Sequence, residues 1–415
     1  MVLSKVRIKT YKKFVKKNRE IFTLGIFLML LSIGFWLGKN AGELSFPWTE
    51  VKSVRVSKEE EISAKDLKSE LDAKTSQGAN PILINVHTPY EGEIEKTDLF
   101  IDYDLMVANS DKLPKDKETP IILYCKTGRM SAEALATLKS TGYKNIRHLE
   151  GGMDEWTIQN YALLDLTKLP ETVLPQEGFE LPISWGDIAP KLVELGAIDK
   201  LKFEKAVAMG DSEKQVFAGN SDQMISINSK NGQFVVDLLW ALGLAQKSLV
   251  YEIGPMGKEN KAKVGNFAST GGWTLARGNA MDHYNKHDIV SLTSEQQKKV
   301  MEIAENVYRP CCGNHTAFPD CNHGMAALAA IELMVSKGIS DEEIYKNVLK
   351  LNSFWFPQNY LTIATYFARQ GINWDKVDAK LVLSSEYSSG QGAAKLNQKV
   401  GPLPYGGKSG GSCGA

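Results

Sequence analysis

The 415-residue sequence predicts three parts in succession: an N-terminal transmembrane helix, an α/β domain with a central parallel sheet flanked by helices, and a mainly α C-terminal domain. Three observations predict them. The run IFTLGIFLMLLSIGFWLG, residues 21–38, carries no charge and is long enough to cross the roughly 30 Å hydrocarbon core as a helix. Between residues 56 and 164, short apolar runs alternate with helical stretches, the pattern of a parallel sheet. Beyond residue 185, apolar residues recur at helical period.

The elements follow in order. Residues 1–20 hold eight Lys/Arg against the single Glu20, which keeps this segment cytoplasmic and places everything after Gly38 outside. No small-x-small cleavage site follows the apolar run, so residues 21–38 read as an uncleaved single-pass anchor rather than a signal peptide. Residues 39–55 read as a tether. In the α/β domain, 56–164, PILINV, IILYC and IRHLEG are the strands and SAEALATLKSTGY is a helix. Residues 165–184 contain Pro170, Pro175 and Pro182, as a linker does. The helical domain, 185–400, is built from FVVDLLWALGLA, SEQQKKVMEIAENVY, GMAALAAIELMVSKG, DEEIYKNVLKL and NYLTIATYFARQG. The end, 401–415, is Gly-rich and reads as a flexible tail carrying Cys413.

Composition narrows the function classes. With 43% hydrophobic and 24% charged residues, cores form without covalent staples. The formal net charge is zero, and because the first 20 residues are strongly basic the remainder is mildly acidic, which excludes a nucleic-acid surface. The membrane is the expected partner of the N-terminal span, and no feature of the sequence identifies a protein partner.

The first chemical site is IILYCKTGRMS. Cys125 comes directly after an apolar strand and before a glycine-containing loop, Lys126, Thr127, Gly128, Arg129, Met130 and Ser131, at the start of a helix near Ser131. Loop N–H groups and a helix N-terminus favour anionic sulfur, and Lys126 and Arg129 add positive charge. That environment suits a nucleophilic thiolate; the alternative is an inert buried cysteine.

Three segments resemble the rhodanese (sulfurtransferase) family over about residues 56–164: ILINVHTPYEGEI, CKTGRMS and GYKNIRHLEGGMDEW. The resemblance implies a rhodanese-like fold and a Cys125 that accepts sulfane sulfur as a persulfide, cradled by the loop amides from Lys126 to Ser131. It also implies a small sulfur-containing donor and a thiol acceptor. This sequence departs from the family in two places. Asn85 stands where many members have Asp, and Met130 stands five residues after the cysteine where many have Arg, with Arg129 one place earlier.

The second site is YRPCCGNHTAFPDCNHG, which gathers three of five cysteines and two of six histidines. Cys311, Cys312, His315, Cys321 and His323 are ligand types for one transition metal ion, zinc, copper or iron. His283 and His287, spaced i, i+4, join them if a helical turn puts both on one face. Two alternatives stand beside the metal: a thiol redox or persulfide-relay site to which Cys413 is carried by its Gly-rich arm, and a structural disulfide from Cys311 or Cys312 to Cys321. The stretch from Tyr308 to Ile344 is also similar to the cytochrome c maturation thiol reductase family, which implies a small helical hairpin. That family's cysteines are separated by two residues, whereas Cys311 and Cys312 are adjacent.

Together these features predict a membrane-anchored, extracytoplasmic rhodanese-like sulfurtransferase coupled to a Cys/His metal or thiol site. The alternative is a metal-binding or metal-delivery protein whose rhodanese-like part is a non-catalytic scaffold.

Overall fold

A computed structural model describes residues 56–73, 81–219, 221–403 and 405. The basic segment, the expected span 21–38, the tether up to residue 55 and Cys413 lie outside the described residues. Among the described residues no helix is long and apolar enough to cross a membrane.

The first half is a parallel sheet in the order β1–β5–β4–β2–β3. Its strands are β1 (Glu61–Ile62), β2 (Ile82–Asn85), β3 (Leu99–Phe100), β4 (Ile121–Tyr124) and β5 (Ile146–Leu149). Helices α1 (Ala64–Asp72), α2 (Arg129–Ser140) and α3 (Gly152–Ile158) cover it. Strand alternation sorts the central strand between two cores. Ile121, Leu123 and Cys125 pack with Ala134, Leu135 and Leu138 of α2, while Ile122 and Tyr124 pack with Leu67, Leu71 and Trp156 on the other side. Cys125 is thereby delivered to the α2 face.

The second half is mainly helical. Its helices include α4 (Leu169–Val173), α5 (Ile188–Leu195), α6 (Gly232–Ala245), α7 (Ser294–Ala304), α8 (Asn322–Ser336), α9 (Asp341–Trp355), α10 (Pro357–Arg369) and α11 (Gly390–Val400). Every residue from Phe234 to Ala245 and from Asn322 to Val335 is buried, so α6 and α8 form the centre. Their near-uniform apolar sequences are those of helices enclosed on all sides.

The C-terminal part is mainly helical, as expected, with one antiparallel ribbon, β6 (Phe179–Gly186) with β7 (Ser221–Ile227), beside the helices. The structure corrects two expectations. The stretch 165–184 is no free linker: it contains α4 and the start of β6, and Leu166, Leu169, Val173, Leu181 and Ile183 are buried in the helical core. Pro170 begins a helix and Pro182 sits in a two-stranded ribbon, both compatible with order. The tail is ordered at its start, because the Tyr405 hydroxyl bonds Thr365 of α10 at 2.5 Å and Leu403 packs on the core. The described residues from Val56 onward form a single unit, in which the sheet domain and the helical domain share contacts.

Candidate active site

Cys125 lies immediately past β4 and is 1% exposed. Gly128 caps α2 with a left-handed backbone (φ 92°), which turns the chain sharply enough to aim two N–H groups at the thiol. Cys125 Sγ accepts from Gly128 N–H at 3.1 Å and Ser131 N–H at 3.4 Å. The Ser131 hydroxyl is 3.5 Å from the same sulfur, and it donates to Gly128 O at 2.9 Å. The first-turn N–H groups of α2 have no intrahelical partner, so the loop presents positive dipole to the sulfur.

His148 on β5 completes this network. Its Nδ1 is 3.1 Å from Ser131 Oγ, which has already spent its hydrogen on Gly128, so the fitting species is a neutral imidazole protonated at Nδ1. Burial lowers the His148 pKa below the ordinary histidine value, against the opposing pull of Glu61, Glu150 and Glu60. The sequence reading passed over His148; its inward position on the alternating strand IRHL was the available signal.

The loop is clamped from the far side by α3. Met153 N–H donates to Cys125 O at 2.9 Å and Asp154 N–H to Lys126 O at 3.0 Å. This approach requires glycine: a Cβ on Gly152, whose φ is +61°, would lie 2.2 Å from Cys125 O.

The other predicted loop residues are placed differently. Lys126 pairs with Glu91, which also faces His87, and that hydrogen bond raises the lysine pKa. Thr127 is exposed, and Met130 packs on the α2-side core. Arg129 is exposed, paired with Glu133 at 2.5 Å and over the Tyr103 ring, so its charge is directed along the helix surface. The direct N–H contacts to Sγ thus come from Gly128 and Ser131, a smaller set than the whole loop from Lys126 to Ser131. Asn85 donates to Gly92 O at 2.9 Å and accepts from His87 N–H at 3.0 Å. A carboxylate cannot donate, so the amide has its own use in holding the turn after β2.

The second cluster lies on the loop between α7 and α8. The sulfurs of Cys311, Cys312 and Cys321 lie within 4.8 Å of one another, close enough to hold a metal ion. The histidines do not join them. His315 meets the Tyr308 ring edge-to-face, and His323 packs on Phe356 and Trp355 with its Nδ1 unpartnered and its pKa lowered by burial to about 4. His283 and His287 pair with each other at 3.4 Å. They are on no α-helix: a short 3₁₀ turn ends at Asp282 and Asn285 has a left-handed φ of 54°. The four cysteines described are all free thiols, so no disulfide closes this loop.

What the sequence reading missed here is Arg309. It is 1% exposed, and its Nε donates to Cys321 Sγ at 2.9 Å. Nη1 donates to Asn314 O at 3.0 Å, and Nη2 donates to Phe318 O at 3.1 Å and pairs with Asp320. Burial opposes the guanidinium charge, but the surrounding cysteine sulfurs hold it protonated. Hydrogen bonds from Cys311 and Cys312, reinforced by Arg309, hold Cys321 well below the usual thiol value. Cys312 and Cys321 push Cys311 up; Cys312 is drawn down by Cys311 but raised by Cys321 and burial, to about 11.

The rhodanese-like domain family matches residues 63–159. Over 102 residues the chain is 37% identical to a Mycobacterium tuberculosis protein named as the probable adenylyltransferase/sulfurtransferase MoeZ, spanning 24% of each chain. Over 89 residues it is 28% identical to a sulfurtransferase of Allochromatium vinosum, covering 21% of this chain and 80% of that one. A solved rhodanese-related protein of Thermoplasma volcanium is 25% identical, with a TM-score of 0.21, over 25% of this chain and 96% of that one. The chain thus spans about a quarter of the length of the M. tuberculosis relative. Residues 63–159 of this protein are a rhodanese-like domain.

Proposed function

We propose that this protein is a sulfurtransferase in which Cys125 carries sulfane sulfur as a persulfide. The observation that carries this proposal is the pair of N–H donors on Cys125 Sγ, from Gly128 at 3.1 Å and Ser131 at 3.4 Å, at the start of α2. The Cys125 thiolate attacks the sulfane sulfur of a small donor. The donor's S–S bond breaks, its electron pair leaves with the donor, and a persulfide remains on Cys125. An acceptor thiolate or cyanide then attacks the outer sulfur, and Cys125 departs as thiolate. The same N–H groups stabilise the negative sulfur before and after transfer. The basic segment 1–20 and the apolar run 21–38 support a membrane anchor with the catalytic part outside the cytoplasm.

For the second cluster, the spacing of the three sulfurs suits a soft metal ion, but Arg309 already neutralises Cys321 at 2.9 Å. A buried cation in hydrogen-bond contact with one sulfur favours a thiol site over a metal centre. The test of the Cys125 assignment is sulfur transfer to cyanide by the full chain and by Cys125→Ser. Loss in the variant is expected; full activity in it overturns the assignment.

A further inference from the structure

The geometry points to a second activity: Cys321 and Cys311 form a dithiol/disulfide couple that reduces the S–S bond of a small sulfur compound. Cys321 N-caps the 15-residue helix α8 and receives Arg309 Nε at 2.9 Å, two independent sources of positive potential on one sulfur. Arg309 is fixed for this purpose. All three of its guanidinium nitrogens donate, and it fills space that only glycine leaves free, since a Cβ on Gly324 would lie 2.4 Å from its Cζ. Cys311 Sγ stands 3.5 Å from Cys321 Sγ, so a small side-chain shift brings the pair to bonding distance. Cys312 shares the cluster, within 4.8 Å of both sulfurs, but has oxygen partners of its own, with its sulfur 3.9 Å from Asn314 O and 3.8 Å from an Asp320 oxygen, whereas the direct 3.5 Å sulfur contact of Cys321 is to Cys311. The three cysteines are half-buried rather than sealed.

The Cys321 thiolate attacks one sulfur of R–S–S–R′ and expels R′S⁻, leaving Cys321–S–S–R. Cys311 then attacks Cys321 Sγ, its proton passes to the departing RS⁻, and a Cys311–Cys321 disulfide remains. Two protein thiols are oxidised and one S–S bond is reduced to two thiols. When R is hydrogen the substrate is a persulfide and the released RSH is hydrogen sulfide. Two equivalents of a small external thiol restore the dithiol. This activity is separate from the Cys125 proposal and stands or falls without it.

The test uses the full chain carrying Cys125→Ser and Cys413→Ser, reduced under anaerobic conditions and checked for folding by circular dichroism. Glutathione persulfide and oxidised glutathione are the probes. The expected result with at least one probe is a single Cys311–Cys321 disulfide by peptide mapping, with release of sulfide or glutathione. Further Cys321→Ser should abolish the reaction, Cys311→Ser should trap the adduct on Cys321, and Cys312→Ser should leave the cross-link intact. Arg309→Met should slow the first step at least tenfold. Reaction with the persulfide alone marks a sulfane-sulfur reductase, and with oxidised glutathione alone a disulfide exchanger; both support the couple. Unreactive thiols, a cross-link through Cys312, undiminished reaction in Cys321→Ser, or an equivalent of bound metal that must be stripped before reaction overturns it.

Discussion

Arg369 Nε and Nη2 each lie 2.9 Å from a Glu93 oxygen, a bidentate ion pair with both side chains buried. It joins the end of α10 to the turn after β2, and so joins the helical domain to the rhodanese-like domain. Arg369 Nη1 also donates to Val400 O at 2.8 Å, and its carbonyl accepts from Lys96 N–H at 2.9 Å. The joint is therefore a shared polar core inside an apolar surrounding.

From this pair follows a stability prediction with two arms. Arg369→Met leaves Glu93 charged and buried alone and should cost about 3–5 kcal/mol. Glu93→Leu combined with Arg369→Met removes both charges and should recover most of that loss. Denaturant unfolding of the full chain measures both; equal losses in the single and double variants would mean that the carbonyl bonds, and not the charges, hold the joint.

Gly152→Ala tests whether α3 sets the catalytic loop. The added methyl meets Cys125 O at 2.2 Å and Lys126 O at 2.5 Å, and the positive φ is costly for alanine. The loop must move, and an ångström of displacement at a reacting atom can cost about 100-fold in rate. Sulfur transfer to cyanide should fall by that order while the helical domain keeps its melting transition.

Ser131→Ala probes the hydroxyl separately from the amide. The Ser131 N–H at 3.4 Å from Sγ survives, but the hydroxyl link from the sulfur to Gly128 O and His148 is lost. Transfer should drop about tenfold, at the low end for an oriented donor. His148, left without its partner at Nδ1, should titrate differently by NMR; an unchanged rate and an unchanged titration would remove the network from the mechanism.

Much of this was legible because it depends on neighbours in the chain. The continuous apolar run IILYC is that of a strand buried on both faces, so Cys125 could be placed at a strand end before a helix. The stretch GMAALAAIELMVS, apolar but for Glu332 and Ser336, likewise marked the buried helix α8. Spacing failed where tertiary contact decided the outcome. His315 and His323 are near the cysteines in sequence, yet aromatic rings take them: Tyr308 of the same loop for His315, and Phe356 from beyond α9 for His323. Arg309 stands two residues before Cys311 but acts on Cys321 across the loop, and Glu93 meets a partner 276 residues away. The prolines of 165–184 suggested a linker, although Leu166, Leu169, Val173, Leu181 and Ile183 carry enough apolar surface to enter a core.

The last prediction concerns Glu332, in the middle of α8 at 0% exposure, with neither carboxyl oxygen hydrogen-bonded. Burial pushes its pKa up to about 8 from an ordinary 4.5. The folded protein therefore holds this proton at pH values where the unfolded chain has released it. Between about pH 4.5 and 8 the native state binds more protons than the unfolded state, so stability falls as pH rises through that window. Glu332→Gln removes the ionisation while keeping the shape. Its melting temperature should exceed that of the unmodified chain at pH 8, by the equivalent of a few kcal/mol, and the difference should shrink toward pH 4.5. A difference that stays constant across this range would show that Glu332 finds its charge compensated inside the fold.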